Sequence, residues 1–102
     1  SKDNIKIGNL YIDIESHRII LNENEINLTA KEFKLIHYLA KYHGKVHSRE
    51  TLLHKIWGYN VDITTRTVDT HIKRLRSKLG SFSEKIETVR SIGYRLNSKN
   101  QS

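Results

Sequence analysis

At 102 residues, with a formal charge of +7 and a pI near 9.8, the chain is the size of one small domain, and its default partner is a polyanion. It has no cysteine, which excludes a disulfide framework or a thiolate metal site and suits a reducing cytosol. No apolar run approaches the roughly 18 residues needed to span a bilayer and no signal peptide opens the chain, so the expectation is a cytoplasmic protein with no membrane contact.

The distribution of charge is more informative than its total. Residues 1–63 hold nine Lys/Arg against eight Asp/Glu, whereas residues 64–102 hold nine against three. The basic footprint therefore belongs to the second part of the chain. The abrupt strand-like opening is what a segment of something longer would show.

Ile5, Ile7, Leu10, Ile12 and Ile14 alternate with polar residues around a Gly8-Asn9 turn. RIIL at 18–21, a turn at 22–24 and a short run at 25–28 follow. This predicts four antiparallel strands with one apolar face. Being nearly neutral, they support the domain or touch protein, not DNA. LTAKEF at 28–33 is a helix start: Thr29 and Glu32 form a capping box, and Leu28 can staple to Phe33. Phe33, Ile36, Leu39 and Ala40 then keep helical spacing until His43-Gly44 closes the helix. Ser48 caps a second helix that runs through Trp57, with Glu50 in its first turn, Leu52, Leu53 and Ile56 inward, and Gly58 as the stop. In the loop over 58–63, Tyr59, Val61 and Ile63 either fold back on the core or form a small partner surface.

The third helix, TTRTVDTHIKRLRSKL at 64–79, organises the rest. At 100° per residue, Val68, Ile72, Leu75 and Leu79 fall in an apolar stripe about 60° wide. The opposite side carries Arg66, Thr70, Lys73, Arg74 and Ser77 with no carboxylate, since Asp69 lies on the flank. An ordinary solvated helix mixes both signs of charge. A one-sided cationic face fits a helix docked by its greasy edge and offered to DNA by the other. Beyond a connector at 80–85, IETV at 86–89 and GYRL at 93–96 read as a β-hairpin with Arg90-Ser91-Ile92 at its tip. A basic tip beside a basic helix suits an adjacent narrow minor groove, where negative potential concentrates. The tail over 97–102 is expected to fray.

Taken together, LTAKEF at 28–33, LLHKIWG at 52–58, RTVDTHIKRLRSKL at 66–79 and TVRSIGYR at 88–95 closely resemble the effector domain of OmpR/PhoB-type response regulators of bacterial two-component systems. The resemblance implies an α+β winged helix-turn-helix filling 1–102: a four-stranded sheet over 1–28, a three-helix core over 29–79, a hairpin wing over 86–96 and the tail. It implies a third helix in the major groove and a wing in the minor groove. The family's DNA-touching positions fall on Arg66, Thr70, Lys73, Arg74 and Arg76 of the helix, and on Thr88, Arg90 and Tyr94 of the wing. Trp57 matches a position whose indole N–H faces a phosphate. Two departures stand out. Ser91 replaces a wing glycine, which limits the backbone at the tip, and Thr64-Thr65 stand where an acidic residue is frequent, which bears on the helix cap.

Each site residue has a plainer alternative. Arg66 suits a bidentate pair with guanine or a phosphate clamp that reads no sequence. Thr70 suits a thymine methyl or close packing, and Lys73 and Arg74 suit phosphate better than base edges. Arg76 pairs either with phosphate or with Asp69 on the same flank. Trp57 can bury its ring and still point its N–H outward. Six histidines do not make a metal site: His43 and His47 are separated by a helix end and lack a carboxylate cluster. With no nucleophile–base pair, phosphate-cradling glycine loop or acid pair, no active site, metal or cofactor is expected.

The expectation is sequence-specific double-stranded DNA binding as the effector domain of a transcriptional regulator. The resemblance adds an upstream receiver domain, two copies on direct-repeat promoter sites, and RNA polymerase contact through Tyr59 and Val61. The alternative is a winged-helix module for protein or RNA that reads no DNA sequence.

Overall fold

Alternating apolar residues build the first sheet in the computed structural model, which describes residues 4–59 and 62–97. Strands β1 (Ile5–Ile7), β2 (Leu10–Asp13), β3 (Arg18–Leu21) and β4 (Asn24–Ile26) pair antiparallel in that order. Ile12 lies opposite Ile19, and Leu10 opposite Leu21. With a side-chain period of two, that register puts Ile7, Leu10, Ile12, Ile19 and Leu21 together in the core. Gly8, at φ 59, supplies the left-handed residue of the two-residue β1–β2 turn.

Helix α1 (Ala30–Lys41) starts as the sequence predicts. Glu32 N donates to Thr29 Oγ1 at 3.3 Å, and Thr29 N donates to Glu32 Oε1 at 2.9 Å. The helix ends at Lys41 with Tyr42 as its cap, slightly before the expected His43-Gly44 stop. Glu32 has a second task that the capping motif does not reveal. Its Oε1 also accepts from Lys78 Nζ at 2.7 Å, tying the start of α1 to the end of the third helix with only 1% of Glu32 exposed.

Helix α2 (Arg49–Trp57) follows Ser48, whose Oγ accepts from Thr51 N at 3.0 Å. Helix α3 runs Arg66–Leu79, starting two residues later than the predicted stretch. Thr65, in its cap position, makes no side-chain bond to the helix. Thr64 substitutes: its Oγ1 accepts from Arg66 N at 3.3 Å and its carbonyl from Thr67 N at 3.0 Å. The apolar stripe lies as expected, with Val68, Ile72, Leu75 and Leu79 all at 0–1% exposure.

The predicted connector is ordered. Gly80–Lys85 forms a 3-10 helix that drives Phe82 into the core at 4% exposure. Strands β6 (Ile86–Val89) and β7 (Gly93–Leu96) form the hairpin, joined by a strand the sequence does not announce, β5 (His47–Ser48), in the order β5-β7-β6. Of the tail expected to fray, Asn97 is pinned: its N donates to Lys85 O at 2.7 Å and its Nδ2 to Glu87 Oε2 at 3.0 Å. Residues 98–102 lie outside the described residues.

The β5–β7 seam has little tolerance, because a Cβ on Gly93 would sit 1.9 Å from the His47 carbonyl oxygen. Gly93→Ala therefore forces backbone apart, and an expected loss of about 3 kcal/mol or more should appear as a lowered thermal midpoint by circular dichroism. The Glu32 bridge gives a pH prediction. Burial pushes this carboxyl up, but the Lys78 ammonium and the Thr29 N–H outweigh it and hold the group below its ordinary 4.5. As pH falls the unfolded chain takes up the proton first. The bridge's stabilisation is thus complete above about pH 4.5 and is lost as pH drops through the lower folded value. In urea unfolding from pH 6 to 3, Glu32→Gln should flatten this part of the profile.

Candidate nucleic-acid interface

The buried stripe of α3 determines which side chains face out. Arg66, Thr70, Lys73, Arg74 and Ser77 are all exposed, and none of the three cations has a side-chain partner among the described residues. Long cationic side chains keep their heads in water by this arrangement, so their charge stays free for a ligand. The Thr70 hydroxyl donates back to the Arg66 carbonyl at 3.1 Å. What remains on offer at the middle of the face is its methyl group and an acceptor oxygen.

The wing flanks this helix with Arg90 and Ile92 exposed at its tip, Ile92 at 56%. A turn closes the tip, with Ile92 N donating to Val89 O at 2.9 Å and Ser91 at φ 69. That is the position where a type II turn favours Gly or Asn. The serine noted as a departure occupies a left-handed conformation that a glycine would hold without a steric cost.

Three expected contacts already have work inside the protein. Arg76 Nη2 donates to Ile86 O at 2.7 Å and to Thr88 Oγ1 at 2.8 Å, with its guanidinium 5.8 Å from the Tyr94 ring centroid. It therefore grips the wing, and the alternative pairing with Asp69 is not formed. Asp69 Oδ1 instead accepts from Arg49 Nε at 3.1 Å and from the Tyr94 hydroxyl at 2.5 Å. Tyr94 is 7% exposed, so in this structure its phenol braces the wing and is not presented as a phosphate contact. Burial, then the Asp69 carboxylate, raises its pKa above the ordinary 10.0, so the hydroxyl remains a donor.

Of the two roles anticipated for Trp57, the structure shows the core one. Its ring packs on the core, with His71 edge-on at 4.9 Å, while its indole N–H meets no acceptor among the described residues. Lys31, which sequence reasoning passed over, sits 6.0 Å from this ring and donates to Ile56 O at 3.2 Å. In the following loop the two options divide between residues. Ile63 turns back onto the core, while Tyr59 stays 79% exposed and stacks on His54 with centroids 4.4 Å apart. Val61 lies outside the described residues.

Residues 23–96 match the family described as "Transcriptional regulatory protein, C terminal". The chain belongs to this OmpR/PhoB-type family of response-regulator DNA-binding domains. It is 44% identical over 103 residues to the transcriptional regulatory protein SrrA of Staphylococcus aureus, spanning 97% of this chain and 43% of that protein. Among solved structures it resembles the Klebsiella pneumoniae RstA DNA-binding domain, crystallised with the RstA box, with TM-score 0.84 and 32% identity over 94% of this chain and 98% of that one. It also resembles the Thermotoga maritima OmpR/PhoB homologue DrrB, with TM-score 0.83 and 33% identity over 93% of this chain and 44% of that one. The chain thus spans less than half the length of the curated relative.

Membership explains the winged helix-turn-helix architecture, and the family consists of transcriptional regulator DNA-binding domains. Among the described residues there is no group of three or more His, Asp or Glu able to hold a metal, and no helix long and apolar enough to cross a membrane. His47, one of the two histidines weighed earlier as ligands, is a core residue: burial pushes its pKa down, and its ring meets Tyr38 edge-on at 5.0 Å. Relieving the left-handed strain at the wing tip should strengthen the fold: Ser91→Gly is expected to add up to about 1 kcal/mol in urea unfolding.

Proposed function

We propose that the chain binds double-stranded DNA sequence-specifically, with α3 in the major groove and the β6–β7 hairpin in the neighbouring minor groove. One observation carries this reading. The outward face of α3 presents Arg66, Lys73 and Arg74 without a carboxylate or an internal partner among the described residues, and Arg90 extends the same charge to the wing. The RstA neighbour crystallised with its box supports it.

On this reading Arg66 makes the base contact, as a fork able to meet both acceptors of guanine. Thr70 offers its methyl to thymine. Lys73, Arg74 and Arg90 hold phosphates, joined by the Trp57 indole N–H, and Thr88 acts at the wing while holding Arg76. Two copies bind direct-repeat promoter sites, an upstream receiver domain controls them, and Tyr59 faces RNA polymerase. Two features support these last assignments: the 43% share of the SrrA length that the chain spans, and the 79% exposure of Tyr59.

Binding to a duplex selected from a random library tests the reading. Arg66→Ala should cost about 1–3 kcal/mol and relax preference at one base pair, whereas Lys73→Ala should weaken all duplexes alike. With three free cations on phosphates, log K against log salt should slope at about −2.7 per copy. A flat plot, or structured RNA competing as well as the selected duplex, would overturn it.

A further inference from the structure

Asp69 is an odd residue to find beside a DNA-facing surface. A carboxylate there repels phosphate, and its side chain keeps 32% of its accessible surface. Its contacts supply a reason. One oxygen, Oδ1, takes Arg49 Nε from the start of α2 at 3.1 Å and the Tyr94 hydroxyl from β7 at 2.5 Å. Three elements therefore meet at a single atom of α3. The second bond is at the short end of the range for a hydroxyl donating to a carboxylate.

Two turns further along the same helix, Arg76 holds the other side of the same tyrosine. Its guanidinium lies 5.8 Å from the Tyr94 ring centroid while it donates to Ile86 O and Thr88 Oγ1 on β6. Residues seven apart lie on one flank of a helix. Tyr94 is thus gripped at its hydroxyl by Asp69 and over its ring by Arg76. The wing strand that carries it cannot tilt against α3 without breaking a bond at one end or the other.

We infer that Asp69 is a positioning residue for DNA recognition: through the Tyr94 hydroxyl it fixes the wing relative to α3, and so fixes which stretch of minor groove Arg90 reaches. This deepens the reading of α3 in the major groove and the wing in the minor groove, and rests on it. Arg49 completes the device by orienting the carboxylate, and the pair cancels charge at a place where an unbalanced anion would oppose binding.

The two roles open to Asp69 have opposite signs. As a mere surface charge, its removal would tighten binding to every duplex, because one anion fewer faces the phosphates. As a positioning residue, its removal frees the wing and weakens binding to a site that includes the wing's minor-groove segment.

The test uses the full chain and its highest-affinity duplex from a random library. Hydroxyl-radical footprinting reads the minor groove, and protection of guanine N7 from methylation reads the major groove. Asp69→Ala and Tyr94→Phe should both retain N7 protection, lose or displace the minor-groove protection, and weaken binding about tenfold, the scale of one hydrogen bond to a charged group. Tyr94→Phe keeps the buried ring and the net charge, so it reads the same contact if Asp69→Ala proves unstable by thermal midpoint.

Unchanged minor-groove protection in both variants overturns the inference, as does tighter binding by Asp69→Ala with the wing footprint intact. Loss in Tyr94→Phe alone, with Asp69→Ala folded and normal, overturns it too, since the phenol would then be touching DNA itself. A parent chain that protects no minor-groove segment at all instead overturns the wing reading on which the inference stands.

Discussion

Water's rejection of four side chains determines how this molecule presents itself. Val68, Ile72, Leu75 and Leu79 are driven to 0–1% exposure, each contributing on the order of 1.5–3 kcal/mol. Because they form a narrow stripe, their burial leaves α3 a single rotational setting. Turning the helix by even a quarter would bring Lys73 or Arg66 toward the apolar interior, at a desolvation cost of several kcal/mol for each unpaired ion. The cationic face needs no specification of its own. It is the remainder after the stripe has been satisfied, which is why one helix carries both the hydrophobic anchor and the charge offered outward.

The wing depends on that helix more closely than its hairpin sequence implies. Gly93 lets β7 approach the His47 backbone to within less than a side chain's width, so β5, β7 and β6 form one sheet attached to the start of α2. Arg76 then ties β6 to α3, and the Tyr94 hydroxyl ties β7 to Asp69. Each link alone is worth about 1–3 kcal/mol at most. Together they attach both strands of the hairpin to the helix, β6 through the Ile86 carbonyl and the Thr88 hydroxyl and β7 through a single phenol.

Local chemistry carried most of the sequence reading, and distance along the chain marked its limit. The Thr29–Glu32 capping box, the Ser48 cap, the α3 stripe and the apolar alternation of the N-terminal strands each rest on residues within a few positions, and each stands in the structure. The Glu32–Lys78 bridge spans 46 positions and has no periodic signature, so a residue legible as a cap was illegible as a tether. Strand β5 is only two residues, too short for alternation to register, and its presence follows from the gap that Gly93 leaves. Phe82 looked like part of a loop because a lone aromatic shows no period. At the site, burial and exposure on α3 were legible from angle alone. The partners of Arg76 and Tyr94 were not, because they are set by where the wing folds back.

The same distinction changes what the formal charge of +7 means. Arg76, Lys78 and Arg95 lie in the basic second part of the chain, yet each is engaged internally: by the wing backbone, by buried Glu32, and by Glu87 at 2.6 Å. Their charges still add to the long-range field that draws a polyanion in. Each residue spends part of its donor set on the fold: Nη2 for Arg76, Nζ for Lys78, and Nε with Nη2 for Arg95. Arg66, Lys73, Arg74 and Arg90 carry no such obligation among the described residues. Cations engaged by the fold and cations left unengaged are thus two distinct sets of basic residues. Sequence places both sets in the same footprint, and only the packing of α3 and the wing separates them.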